Sequence, residues 1–344
     1  MKRVRCSDPG ITRRRHGRGF SYVEPNGRLV RDGETLARIS ALAIPPAWKD
    51  VWICGRADGH LQAVGTDAAG RRQYLYHEAW RARRDTQKFE RIEGFAEALP
   101  QLRKVVARDL ALDGMPRSKV LGCAVRLLDE ASFRIGTEAH AERNGSFGLA
   151  TLLKKHATPQ DGAVVFDYMS KSGKRRVQIV RDPDAVAVLT ELKRRRGGGR
   201  ELLAYRDDGG RWQDVHSRDI NEYLKMCADG DYSAKDFRTW QATVLATVLV
   251  AAAVAAATPV TSGRRLASSV VKEVAGYLGN TPAVCRASYV DPRVFERFEE
   301  GVTVAERLDD PNVEDLEDPR FRTRVEAAVL ALLRGEIRLK DMAA

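Results

Sequence analysis

Cysteine is scarce and scattered. The five residues, Cys6, Cys54, Cys123, Cys227 and Cys285, include no C-x-x-C pair, which argues against a zinc ribbon and a disulfide framework and suits a reducing compartment. Long hydrophobic runs are missing too. The longest, Val244 to Ala257 with one Thr inside, is shorter than the roughly 20 residues a membrane span needs and is mostly small residues, so a helix buried in a core is expected. The basic start, with Lys2, Arg3, Arg5, Arg13, Arg14, Arg15 and Arg18, has no apolar segment behind it to make a signal peptide. It is read as a flexible arm, either touching phosphates or simply solvated. There is no G-x-x-x-x-G-K-[ST] loop and no carboxylate cluster with metal-ligand spacing, so neither a nucleotide nor a metal cofactor is expected. The acidic residues Glu314, Asp315, Glu317 and Asp318 read as helix entry and solubility. No internal repeat is present.

What the chain does have is length and positive charge. Its 344 residues suit two domains, and 43% hydrophobic residues give each a core to bury. The formal net charge of +11 points to a polyanionic partner such as nucleic acid. From Phe20 to Tyr76 the pattern is short strands and turns, with a helical segment over Gly33 to Ala41, so a small sheet-rich domain is expected over residues 1–90. Within it Arg71, Arg72, Gln73, Tyr74 and Tyr76 stand at or beyond a strand end. They suit a DNA-reading element or, equally, a strand whose tyrosines pack on their own sheet. From Ala82 onward the residues turn charged and helical, and a mainly helical domain is expected over 91–344.

Within that domain, a helix running through SKVLGCAVRLLDEASF delivers Arg134 near its end. Val164 to Val180 reads as a β-hairpin whose turn is bracketed by Lys171 and Lys174. Ser233 is a plausible N-cap, with Lys235 and Arg238 at the start of the buried alanine-rich helix; a buried basic residue there must find an anion. A further helix, Val270 to Leu278, is closed by Gly279, followed by Asn280, Arg286 and Tyr289. Tyrosine, with a pKa of about 10, attacks nothing at neutral pH unless its setting supplies positive charge. The closing helix is expected over Pro319 to Leu333. No separate general base is evident; His140, His156 and His216 read as surface or packing residues.

Taken together, RIGTE at Arg134, FDYMSKSGK at Lys171, AKDFRTW at Arg238 and LGNTPAVCRASY ending at Tyr289 resemble the type IB DNA topoisomerases, most closely the small bacterial and poxvirus-like members. AIPPAWKDVWI, QYLYHEAW and ERNGSFGLATL extend the resemblance over most of the chain from Phe20 to Pro292. It implies an α+β protein of the tyrosine recombinase/type IB topoisomerase type. A small sheet-rich domain and a larger, mainly helical catalytic domain would close as a monomeric clamp on double-stranded DNA in the bacterial cytoplasm. By motif position, Tyr289 is the nucleophile that forms a 3′-phosphotyrosyl link. Arg134 and Arg238 hold the non-bridging oxygens, and Lys171 or Lys174 is the acid for the leaving 5′-oxygen. Many members carry histidine where this chain has Asn280, which donates a hydrogen bond but carries no charge. The implied outcome is relaxation of positive and negative supercoils without ATP or metal. A tyrosine site-specific recombinase shares the same residue set, and an architectural DNA-binding protein would use the basic surface alone.

Overall fold

The computed structural model describes residues 1–256, 263–308, 313, 316 and 318–338. The chain separates into two units, Met1–Phe89 and Glu90–Ala344. The smaller is organised by one antiparallel sheet, in the order β2 (Gly19–Val23), β1 (Ile11–His16), β3 (Lys49–Ile53), β4 (Leu61–Thr66) and β5 (Arg72–Tyr76). Ile11, Val51, Ile53 and Ala63 form its core with Ile39 of α1 (Gly33–Ala41). Asp32 starts α1 by accepting from the Thr35 backbone N–H at 2.8 Å. Arg38 then ties the helix to the sheet through Gln62 and the Cys54 carbonyl, each at 2.7 Å.

The basic start corrects the expectation of a flexible arm. Arg13, Arg14 and Arg15 lie in β1, paired with Tyr22, Ser21 and Phe20 of β2. Arg13 donates to the Trp48 carbonyl at 2.6 Å and lies over the Phe20 ring at 4.1 Å. The run of arginines hides the strand's alternation, and the Gly17-Arg18 turn carries the remaining signal, with Gly17 at φ +56°. A second correction concerns Gln73 and Tyr74, which sit inside β5, the sheet's edge strand, while Tyr76 is the last residue of that strand, at its end as expected. Helix α2 spans Glu78–Leu110.

The larger unit is mainly helical. Its helices are α3 (Arg117–Ala131), α4 (Glu138–Asn144), α5 (Pro183–Arg194), α6 (Ser217–Ala228), α7 (Ala234–Ala255), α8 (Gly263–Leu278), α9 (Pro282–Ser288), α10 (Arg293–Glu299) and α11 (Pro319–Leu333). Its described strands form a three-stranded antiparallel sheet, β6 (Ala157–Gln160), β7 (Ala163–Ser170) and β8 (Lys174–Val180), and a short pair, β9 (Ala204–Arg206) and β10 (Trp212–Asp214). The α+β architecture, a sheet-rich unit followed by a larger mainly helical one, is as the resemblance implied.

The alanine-rich segment lies in α7, whose 22 residues are long and apolar enough to cross a membrane, yet most are buried inside this unit. Phe237 and Trp240 anchor it, with Phe95 edge-on to Phe237 at 4.9 Å between ring centres. Burying such side chains contributes about 1.5–3 kcal/mol each. Asp318 caps α11 by accepting from the Arg320 N–H, while Glu314, Asp315, Glu317 and Ala257 lie outside the described residues.

Candidate active site

The site is assembled on the C-terminal end of α8. Gly279, at φ +66°, adopts the left-handed conformation that closes a helix. Its N–H donates to the Gly276 carbonyl at 3.1 Å and the Asn280 N–H to the Ala275 carbonyl at 2.8 Å, the hydrogen-bond pair of a Schellman cap. That cap leaves the next carbonyls without partners along the chain, and arginines take them. Arg176 donates to the Tyr277 carbonyl at 2.8 Å, Arg238 to that of Leu278 at 2.9 Å, and Arg134 to that of Gly279 at 2.8 Å. The helix C-terminus carries partial negative charge, so it suits guanidiniums. It is a weak substitute for an anion, and none of the three forms a salt bridge among the described residues.

Each arginine arrives on a well-braced element. Helix α3 ends at Ser132 in the left-handed conformation, where Ser132 donates to Gln241 at 2.7 Å and its carbonyl accepts from Arg238 at 2.7 Å. Buried Phe133 then turns Arg134 inward, and the Arg134 carbonyl accepts from the Leu149 N–H at 2.8 Å. This crossing needs two glycines: a Cβ on Gly136 would meet the Gly148 Cα at 2.7 Å. Arg238 is 4% exposed, and its Nε has no partner. Its pKa is lowered by burial and then by Arg134; that of Arg134 is lowered by burial and further by Arg176. The Tyr289 phenol acts in the opposite sense on both.

Tyr289 follows the last residue of α9, a helix that begins at Thr281, whose hydroxyl accepts from the Val284 N–H. The tyrosine is half-buried, with the Arg238 guanidinium 5.4 Å and the Lys235 ammonium 5.9 Å from its ring centre. Thr243 of α7 braces the backbone just after it: its hydroxyl accepts from the Asp291 N–H at 3.2 Å and lies 3.4 Å from the Tyr289 carbonyl, while making its shorter bond, 2.9 Å, to the Thr239 carbonyl. Asn280 accepts from Arg134 through its side-chain oxygen, while its Nδ2 is buried and unpartnered. An amide donor aimed into a site with no acceptor marks a place for a ligand oxygen. Such a constellation can receive an oxyanion beside a phenol.

Arg134, Arg238, Asn280, Tyr289 and Lys235 therefore come together. Lys171 and Lys174 sit at the exposed hairpin turn, where Ser172 and Gly173 have φ of +64° and +67°, and neither lysine side chain has a hydrogen bond or ion pair among the described residues. Arg286 lies outside the cluster, over the Phe295 ring at 5.8 Å. In the smaller unit, Arg72, Tyr74 and Tyr76 share the exposed face of β5, with the two tyrosine rings stacked at 6.3 Å. Gln73 faces the other way and donates to Asp67 at 2.9 Å, as does Arg71 at 2.8 Å. Sequence reasoning missed Arg176 and Thr243. Arg176 had a signal: on β8 it shares the inner face with Gln178 and Val180 at period two.

Residues 77–309 match the family described as the catalytic core of eukaryotic DNA topoisomerase I, and residues 19–67 match the bacterial DNA topoisomerase IB N-terminal domain. The chain belongs to the topoisomerase IB family. All of Arg134, Lys171, Lys174, Arg238, Asn280 and Tyr289 fall inside the matched catalytic core, while Arg71 to Tyr76 fall between the two matched ranges. Topoisomerase IB membership is accompanied by similarity to a protein named DNA topoisomerase 1B from Acanthamoeba polyphaga mimivirus, at 28% identity over 314 residues, covering 88% of this chain and 92% of that one.

Proposed function

We propose that this chain relaxes positive and negative supercoils as a small type IB enzyme of the bacterial and poxvirus-like kind, clamping double-stranded DNA as a monomer in the bacterial cytoplasm. The observation that carries the reading is the pair Arg134 and Arg238 on the end of α8, with Arg238 over the Tyr289 ring and neither in a salt bridge among the described residues. A scissile phosphate supplies the missing negative charge. In the cleavage step the Tyr289 oxygen bonds to phosphorus, the bond from phosphorus to the 5′-oxygen breaks, and the phenol proton passes to water. The 5′-oxygen takes a proton from Lys171 or Lys174 and leaves as a hydroxyl.

The crowded transition state gathers charge on its non-bridging oxygens, where Arg134, Arg238 and the Asn280 amide donate. Each guanidinium is expected to contribute about 3–4 kcal/mol to transition-state stabilisation. Because the phosphotyrosine retains the energy of the broken bond, return of the 5′-hydroxyl reseals the strand without ATP, and no step calls for a metal ion. Arg72, Tyr74 and Tyr76 offer the duplex a cationic and aromatic face, and Lys235 a phosphate contact beside the tyrosine.

Relaxation of supercoiled plasmid in EDTA without ATP tests the proposal. The native chain is expected to relax it and Tyr289→Phe to lose relaxation while still binding DNA. Equal activity of the two would remove Tyr289 from the mechanism, and inactivity of both would favour the recombinase or architectural alternative.

A further inference from the structure

The geometry points to Arg176 as a positioning residue that holds the lysine-bearing hairpin against the end of α8, so that the leaving oxygen meets its acid. The inference rests on the proposed transesterification and adds to it a residue that does not touch the reacting atoms.

The hairpin turn is the least supported part of the site. Its lysines are exposed, and successive left-handed residues make the turn without anchoring it. Support has to come from the strands beneath. On the side facing α3, Gln178 donates to the Ala131 carbonyl and accepts from Tyr168, which fixes the middle of the sheet. Closer to the turn, Ser170 pairs with Lys174 in the ladder, but the hydrogen bond from Arg134 to the Ser170 hydroxyl is long, at 3.4 Å.

Arg176, two residues beyond Lys174 on the same strand, makes the short bond, 2.8 Å to the Tyr277 carbonyl, and so joins β8 to α8. Its guanidinium lies against Gly279: a Cβ there would be 2.5 Å from Nη1. The same glycine closes α8 and sets the path to Asn280. Arg176 thus connects the lysine turn to the peptide that Arg134 holds. A misplacement of about 1 Å between catalytic groups is enough to lower a rate roughly 100-fold.

If Arg176 acts through the acid, its loss matters only when the leaving group needs a proton. The test maps the position at which the native chain forms its Tyr289 adduct on a DNA duplex. The duplex is then synthesised with either the ordinary 5′-oxygen or a bridging 5′-sulfur at that phosphodiester. A thiolate departs without protonation, so the sulfur substrate bypasses the lysine. Single-turnover adduct formation is measured for the native chain, Arg176→Ala and Arg176→Lys, the last retaining a donor for the Tyr277 carbonyl.

Arg176→Ala is expected to slow the oxygen substrate by about 100-fold and the sulfur substrate by less than about threefold, with Arg176→Lys recovering much of the difference. The ratio between the substrates is independent of how much of a preparation is folded. Equal slowing on both, or no slowing on either, overturns the assignment while leaving Tyr289 in place. No native adduct on either substrate brings down the transesterification reading and the assignment with it.

Discussion

The larger unit contains two kinds of arginine drawn out of solvent, Arg238 being buried and Arg103, Arg134 and Arg293 half-buried. Arg103 donates to Asp129 at 2.8 and 3.0 Å and to Glu326 at 2.7 and 2.8 Å, and Arg293 is held by Asp291 at 2.8 Å and Glu93 at 2.5 Å. Burial alone would lower their pKa values, but the carboxylates hold both above the ordinary value. Arg134 and Arg238 show the opposite result: backbone carbonyls, the Asn280 amide oxygen and, for Arg134, the Ser170 hydroxyl receive them, and both pKa values fall. An unpaired buried charge is costly, so each such cation needs a reason for its place. Arg195, 8% exposed over the Trp212 ring and donating only to the Leu192, Leu202 and Glu201 carbonyls, shares that pattern, so what distinguishes Arg134 and Arg238 is their place with Tyr289 and the unpartnered Asn280 amide.

The hairpin lysines extend the unpaired set, and their removal carries the largest expected effect. Alanine at the acidic lysine should slow adduct formation on an ordinary phosphodiester by about 100- to 10,000-fold, with the other lysine variant close to native. Parallel single-turnover assays of Lys171→Ala and Lys174→Ala decide which is the acid. Near-native rates for both would take the hairpin out of the chemistry. On the paired side, Arg103→Ala leaves Asp129, which is 8% exposed, only the longer 3.6 Å pair with Arg322, and should reduce stability by about 3 kcal/mol in urea unfolding.

The same variant carries a pH signature. Burial pushes the Asp129 carboxyl up, but Arg103 and then Arg322 bring it below its ordinary value. The stability it gives is complete above the unfolded carboxylate pKa near 4 and is lost as pH falls through the folded one. Without Arg103 that acid-side loss should shrink, so the native and variant unfolding curves converge toward low pH. Arg238→Ala should behave in reverse, losing about 3–4 kcal/mol of transition-state stabilisation with a smaller change in unfolding. Its lost hydrogen bonds to Ser132 and Leu278 are offset by relief of the charge beside Arg134. A variant with normal adduct rates and a collapsed urea midpoint would erase the distinction between the two kinds of arginine.

Much of this was legible from local pattern. Helix α11 spans Pro319–Leu333 and α1 spans Gly33–Ala41, as caps and periodicity indicate, and Gly279 closes α8. Ser233 is the N-cap of α7, with Asp236 accepting its N–H at 2.8 Å. Motif order also placed Arg134, Arg238 and Tyr289 in one group. Three features were hidden for physical reasons. Strand β1 is masked because its arginines carry no apolar alternation. Thr243, which braces the backbone just after Tyr289, looks like any polar residue in an apolar helix. The convergence of Arg134, Arg176 and Arg238 on the carbonyls of Tyr277, Leu278 and Gly279 is tertiary; local spacing records none of it.

Gly279 offers the smallest and sharpest way to test that convergence. Alanine there must adopt φ near +66° at a cost of about 1–2 kcal/mol, and its Cβ would press on the Arg176 guanidinium. Both stability and adduct formation should fall. Asparagine tolerates the left-handed region better than alanine, yet brings the same Cβ. Gly279→Asn should therefore recover part of the stability in urea unfolding while leaving adduct formation as slow as in Gly279→Ala. If rate returns with stability, backbone strain alone explains the loss, and the guanidinium packed on Gly279 contributes nothing to the chemistry.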